Sequence, residues 1–215
     1  MTHSFGQQSV DELLEALASS APAPGGGAAC ALTGALGAAL VSMVANLTLD
    51  KASEPPTELQ EARAQADELR TTLAALMAAD ADAYDAVIAA YRLPRATPEQ
   101  KAARRQAIQE ALRVATLVPL DIAANCARVL ALTEPAARLG SRSAVTDAGA
   151  AAYLAAAGAR AALLNVEVNL ASIKDEAFIA WAQERAQGLE ALLGSAQQVS
   201  LAAMRQALQP RAQGG

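Results

Sequence analysis

Residues 28–49, AACALTGALGAALVSMVANLTL, carry no charge, and this run limits what the chain can fold into. It is long enough to cross a bilayer as a helix. It also suits a helix buried at the centre of a soluble bundle. Hydropathy criteria favour burial. No Trp or Tyr anchors the run, no basic cluster flanks it, and its Ala, Gly, Ser, Thr and Asn content is weakly apolar. The other helical stretches are too charged to follow it into lipid, so no membrane partner is expected.

Burying such a helix demands a particular core. Hydrophobic types make up 53% of the chain, yet aromatics are only 3%. Alanine supplies the difference. It has the best helix propensity and almost no side chain to bury. Helix backbones must therefore approach closely. Each Ala removes little area from water, so an oligomer is an expected source of further burial.

Helix punctuation divides the chain. Ser9-Val10-Asp11-Glu12 is a capping box that opens a helix to about Ser19. The segment from Ser20 to Gly27, rich in Pro and Gly, breaks it. The uncharged helix runs from about Gly26 to Leu49. Thr57 is read as the cap of a long helix to about Tyr91, along which Leu59, Ala66, Leu69, Leu73 and Met77 keep helical spacing. Thr97-Pro98-Glu99-Gln100 starts another helix, expected to bend at Pro119 and end near Leu132. Residues 134–143 read as an irregular connection or a short turn of helix. Ser143 or Thr146 starts a helix to about Ala171, and Asp175 starts the last, ending near Leu208. Strand signals are missing. The expectation is all-α: one domain over 1–215, a bundle of about six long antiparallel helices with frayed tails at 1–8 and 209–215.

Charge and cysteine usage narrow the function. The net charge is −5 and no Lys/Arg run exceeds Arg104-Arg105, which disfavours nucleic acid. Cys30 and Cys126 sit in apolar stretches, and the single histidine, His3, is in the N-terminal tail. No metal-ligand set is present, and reduced thiols fit a cytoplasmic protein. No signal peptide is evident at the start.

The Pro-Gly run draws attention next. Glycines at a helix start leave backbone N–H groups unobstructed, and helix N-termini attract carboxylates and anions. Alone, Gly25-Gly26-Gly27 also reads as a linker. With its neighbours it says more. Ser19-Ser20-Ala21-Pro22-Ala23-Pro24-Gly25-Gly26-Gly27, followed by the segment from Ala35 to Thr48, resembles the opening of the cyclodeaminase/cyclohydrolase family. Three later segments resemble the same family. They are Asp82-Ala83-Tyr84-Asp85 with Tyr91-Arg92-Leu93-Pro94-Arg95, Ile108-Gln109-Glu110 with Val118-Pro119-Leu120, and Val145-Thr146-Asp147-Ala148-Gly149 with Asn165 and Asn169. The resemblance covers nearly the whole chain in order. It implies an all-helical homodimer acting on a tetrahydrofolate derivative, with no cofactor beyond the folate. Two reactions are implied: hydrolysis of 5,10-methenyltetrahydrofolate, or cyclodeamination of 5-formiminotetrahydrofolate. With no formiminotransferase half in the sequence, the first is preferred. A non-enzymatic helical assembly protein is the alternative from another class. Family members often carry a basic run after the second helix, where this chain reads Asp50-Lys51-Ala52-Ser53-Glu54. Weaker binding of polyglutamates is the expected consequence.

The candidate catalytic carboxylates are Asp85, Asp82 and Asp147. Asp82, Asp85 and Arg92 fall within one face of the long helix, which reads as a polar pocket or a solvated surface. Asp147 lies in a first helical turn, where the dipole favours a carboxylate, so it is a cap or a catalyst. Asn165 and Asn169 share a face inside an apolar stretch. They bind pterin edges or bond across helices. Along a straight helix Asp147 and Asn165 stand about 27 Å apart, too far to touch one small ring unless the helix breaks or two subunits contribute. Pro24, Gly25, Gly26 and Gly27 are candidates for substrate binding. Lys51, Lys174 and Arg95 are candidates for the glutamate tail, each also readable as a solvated cation.

Overall fold

A computed structural model describes Phe5 and residues 8–209. Among these residues there are six α-helices and no strand: α1 Val10–Ala18, α2 Gly26–Leu49, α3 Thr57–Arg92, α4 Pro98–Leu139, α5 Val145–Leu170 and α6 Glu176–Leu208. Of the expected tails, 1–4, 6–7 and 210–215 lie outside the described residues, while Phe5 is buried against the core.

Local chemistry sets most boundaries. Ser9 and Glu12 close a capping box on α1, and Thr97 and Gln100 close one on α4 with Pro98 in its first turn. Asp175 caps α6 by accepting from the Phe178 N–H. Two expectations are corrected. Thr57 is inside α3, which starts after Pro56 without a side-chain cap. Helix α4 does not stop near Leu132 but continues to Leu139 with Pro135 inside it. Pro135 removes the partner of the Ala131 carbonyl, and Ala131 lies on the exposed side, where water can take that carbonyl.

Helices α2, α3, α4 and α5 close into a ring, and α6 packs on the outside against α4 and α5. Paired positions fix the directions. Gly27 meets Asp80 while Gly34 meets Leu73, so α2 and α3 run antiparallel. Arg104 reaches the Tyr91 carbonyl and Arg138 reaches Glu58, which makes α3 and α4 antiparallel. Helix α5 returns along α2, with Gly158 against Cys30 and Gly34, and Gly37 against Ala151 and Ala155. At these glycines the two backbones are nearly in contact: a Cβ added at Gly158 would lie 2.9 Å from the Cys30 carbonyl oxygen. Alanines such as Ala31, Ala38, Ala152, Ala155 and Ala159 fill the seams at 0% exposure.

The expectation that the other helices are too charged for lipid is corrected: three helical segments, Gly26–Leu49, Pro98–Leu139 and Arg142–Leu170, are long and apolar enough to cross a membrane by length and composition. In α2, 61% of that apolar window is buried inside the bundle.

Candidate active site

The breaker segment and the start of α2 open into a cavity of about 290 Å³ at one end of the ring. Its walls come from four elements: the turn Pro22 to Gly27, Asp80 to Val87 on α3, Ala115 on α4, and Asn165 and Asn169 on α5. The Ala23–Pro24 peptide in the turn is cis.

Helix α2 begins after its cap residue Gly25, with no side chain from its own segment on its first N–H groups. A helix start leaves such donors needing partners. Asp80, from the middle of α3, supplies one: its carboxylate accepts from the Ala28 N–H. It therefore acts as a cap donated by a neighbouring helix. Gly27 makes this possible, because any Cβ there would collide with the Asp80 carboxylate. Burial pushes the Asp80 carboxyl above its ordinary range, and the Ala28 N–H opposes part of that rise. Among the described residues no Lys, Arg or other carboxylate lines the cavity. Among the described residues the Asp80 carboxyl is thus without a counter-ion there.

The two asparagines have different bonding. Pro119 lacks the N–H that would serve the Ala115 carbonyl four residues earlier. The Asn169 side-chain amide donates to that carbonyl at 2.6 Å, so Asn169 ties α5 to the gap that proline leaves in α4. Its amide oxygen remains as an acceptor. Asn165 is half-buried, lines the cavity, and makes no side-chain hydrogen bond among the described residues. Tyr84, one turn beyond Asp80, adds a phenol at the rim.

Of the candidates from sequence, Gly25, Gly26, Gly27, Asn165 and Asn169 meet at this cavity. Pro24 is buried just behind the lining. The other candidates are placed elsewhere. Asp82 is half-buried and Asp85 exposed, and neither lines the cavity. At about 100° per residue, Asp82 sits roughly 200° round α3 from Asp80. Asp147 stands in the first turn of the unbroken α5, at the opposite end from Asn165. Lys51 follows the far end of α2, which spans 24 residues, or about 36 Å. Arg92 ends α3 on the surface. Lys174 lines a separate cleft.

Asp80 and Tyr84 were missed by sequence reasoning. The available signal was the core stripe of α3. Leu69, Leu73 and Met77 are buried, and the same spacing continues to Asp80 and Tyr84. A carboxylate that falls on a core-facing stripe needs a partner or a task.

Neither thiol is poised as a nucleophile, because both are only weakly acidic. Burial, reinforced by the Asp80 charge, pushes Cys30 up to about 11. Burial and the neighbouring Cys30 push Cys126 up to about 12. Both are packing residues in the α2–α4–α5 seam. Among the described residues no group of three or more His, Cys, Asp or Glu side chains could hold a metal.

Comparison with known proteins fits this geometry to a family. The family model described as formiminotransferase-cyclodeaminase matches residues 9–188. This chain belongs to the formiminotransferase-cyclodeaminase family. Methenyltetrahydrofolate cyclohydrolase of Methylorubrum extorquens is 47% identical over 193 residues, covering 89% of this chain and 91% of that protein. Formimidoyltransferase-cyclodeaminase of Sus scrofa is 35% identical over 178 residues, covering 78% of this chain and 31% of that longer protein. The crystal structure of formiminotetrahydrofolate cyclodeaminase from Thermotoga maritima superposes with a TM-score of 0.84 at 27% identity, covering 95% of this chain and 99% of that one. The family fold and the all-α expectation agree.

Proposed function

We propose that this chain is a methenyltetrahydrofolate cyclohydrolase, which hydrolyses 5,10-methenyltetrahydrofolate to 10-formyltetrahydrofolate in the cytoplasm. The observation that carries the reading is Asp80: a half-buried carboxylate, unpaired by any cation among the described residues, in a cavity walled by helix N–H groups and amides. The bridge of the substrate is an amidinium cation, and such a cavity complements it. Binding the cation restores the carboxylate that burial disfavours.

The chemistry needs no group beyond these. Water adds to the bridge carbon, and Asp80 takes its proton as general base. The same proton passes to N5 as the carbon–N5 bond breaks, and the hydroxyl proton leaves to solvent. The one-carbon unit remains on N10 as a formyl group. Asn165 and the Asn169 amide oxygen orient the pterin edge. The reading also takes the folate as the only cofactor and places Asp82, Asp85 and Asp147 outside the reacting atoms.

The name of the Thermotoga maritima neighbour favours a second reading, cyclodeamination of 5-formiminotetrahydrofolate, at the same cavity. The relative that matches at 47% identity over most of both chains puts the hydrolase first. Loss of methenyltetrahydrofolate absorbance, corrected for spontaneous hydrolysis, tests it. Purified protein is expected to accelerate that loss. Ammonia release from 5-formiminotetrahydrofolate without such acceleration would replace the first reading by the second.

A homodimer belongs to the same proposal. Leu36, Met43 and Leu47 on α2 and Tyr153, Leu164 and Val168 on α5 are 38–71% exposed. They lie on two helices that pack together, and none is charged. A second copy seated there would cover the face and stand beside Asn165 at the cavity rim.

A further inference from the structure

A second cleft lies along the same helical seam as the cavity. It holds about 520 Å³ and is lined by Tyr91 from α3, Arg105, Gln106, Ile108 and Gln109 from α4, and Ser172 and Lys174 from the α5–α6 connection. The cavity wall ends at Val87, Ala115 and Asn169. Tyr91 is one turn beyond Val87, Gln109 is six residues before Ala115, and Ser172 is three residues after Asn169. The two sites are therefore neighbours, separated by about 4–9 Å along the three stretches of chain.

The cleft is pinned on both sides. Gln109 donates to the Ser172 carbonyl at 3.1 Å and accepts from the Lys174 N–H at 2.8 Å, which fastens the connection to α4. Arg104 bonds the Tyr91 carbonyl and stacks over the Tyr91 ring at 5.6 Å, which fastens the end of α3. Asp175, beside Lys174, is held by Arg113 at 2.6 Å. Arg105 and Lys174 line the opening, and neither makes a side-chain ion pair among the described residues. The charge of this cleft is thus opposite to that of the neighbouring cavity.

We propose that Arg105 and Lys174 form the subsite for the glutamate carboxylates of the folate substrate, with the p-aminobenzoyl unit crossing from cavity to cleft. This rests on the folate reading above and deepens it. It moves the tail contact away from Lys51, at the far end of α2, to the end of the bundle that holds the pterin. It also gives a chain without a basic run after α2 another way to hold polyglutamates.

The test compares Arg105→Gln, Lys174→Gln and the double variant with wild type. Three methenyl substrates are used: the pentaglutamate, the monoglutamate, and the pteroate that lacks glutamate. Both residues are exposed, so the substitutions leave the fold intact. Each single variant should raise KM for the pentaglutamate about threefold and the pair about tenfold, the size expected of exposed ion pairs, with kcat unchanged. The pteroate should show no change. Wild-type KM for the pentaglutamate should also rise with salt, and the double variant should lose most of that dependence. An unchanged KM for the pentaglutamate overturns the proposal, as does an equal loss on the pteroate. Should the wild type hydrolyse none of the three, the functional reading falls separately. Calorimetric titration with p-aminobenzoyl-pentaglutamate then decides the subsite, where binding weakened by the double variant supports it and no binding overturns it.

Discussion

Two adjacent glycines should respond oppositely to the same substitution. A Cβ at Gly26 meets nothing within 4 Å, whereas one at Gly27 overlaps Oδ1 and Cγ of Asp80 and lies 2.5 Å from Oδ2. Gly26→Ala keeps every contact and gains helix propensity, about 1 kcal/mol. At this chain length that corresponds to a rise of roughly 2–4 °C in Tm. Gly27→Ala gains the same propensity but forces the Asp80 carboxylate off the Ala28 N–H. A hydrogen bond to a charged group is worth about 1.5–3 kcal/mol, discounted here because Asp80 is partly exposed. The net is a loss of about 1 kcal/mol, and Tm should fall by roughly 2–4 °C. The displaced base should cost at least about 100-fold in kcat, the lower end of what a positioned base contributes. Differential scanning calorimetry and the methenyltetrahydrofolate absorbance assay read the two effects. If Gly27→Ala were stabilised like Gly26→Ala and kept the wild-type rate, the claim that Asp80 is both cap and base would be refuted.

Other outcomes follow from the same contacts. Asp80→Asn should lower kcat by about 10²–10⁴-fold and remove the acid limb of the kcat/KM profile, a limb that lies above the ordinary aspartate value of about 3.9 because burial raises the Asp80 carboxyl. The sign for stability is the reverse. A carboxyl whose pKa is raised on folding loses stability as pH climbs from its unfolded to its folded value, so Asp80→Asn should melt higher at pH 7, with the advantage fading below pH of about 4. Gly158→Ala places a methyl 2.9 Å from the Cys30 carbonyl oxygen and 3.3 Å from Cys126 Sγ. It should lower stability by about 1–3 kcal/mol, and an unchanged melting curve would show that the α2–α5 seam has slack. Leu36→Glu with Leu164→Glu should convert a dimer to monomer in sedimentation velocity, and unchanged sedimentation as a dimer would place the interface elsewhere.

Much of the fold could be read from the residues because the helix ends carry their own chemistry. Ser9, Thr97 and Asp175 each fix a start through a local hydrogen bond, and the uncharged run from Gly26 to Leu49 could only be central or membranous. The end of α4 was not legible. Pro135 is a local stop signal that tertiary packing overrides, since Ala136 and Ala137 are buried beyond it. The site was half legible for a related reason. The glycine turn and the asparagines stand out against apolar surroundings. Asp80 hid among Asp82 and Asp85, and telling them apart requires following the Leu69-Leu73-Met77 stripe one turn further. The task of Asn169 was not local at all: it answers a carbonyl freed by Pro119 in another helix.

The ring of helices has a consequence for how activity arises as the chain folds. Helices α2 with α3, α3 with α4, and α4 with α5 are neighbours in sequence, and such contacts close short loops at small entropic cost. The glycine turn and Asn165 belong to α2 and α5, the pair that meets only when the ring shuts. A partly folded chain can hold most of its helix and still lack a catalytic chamber, so competence is gained in the final, longest-range step of assembly.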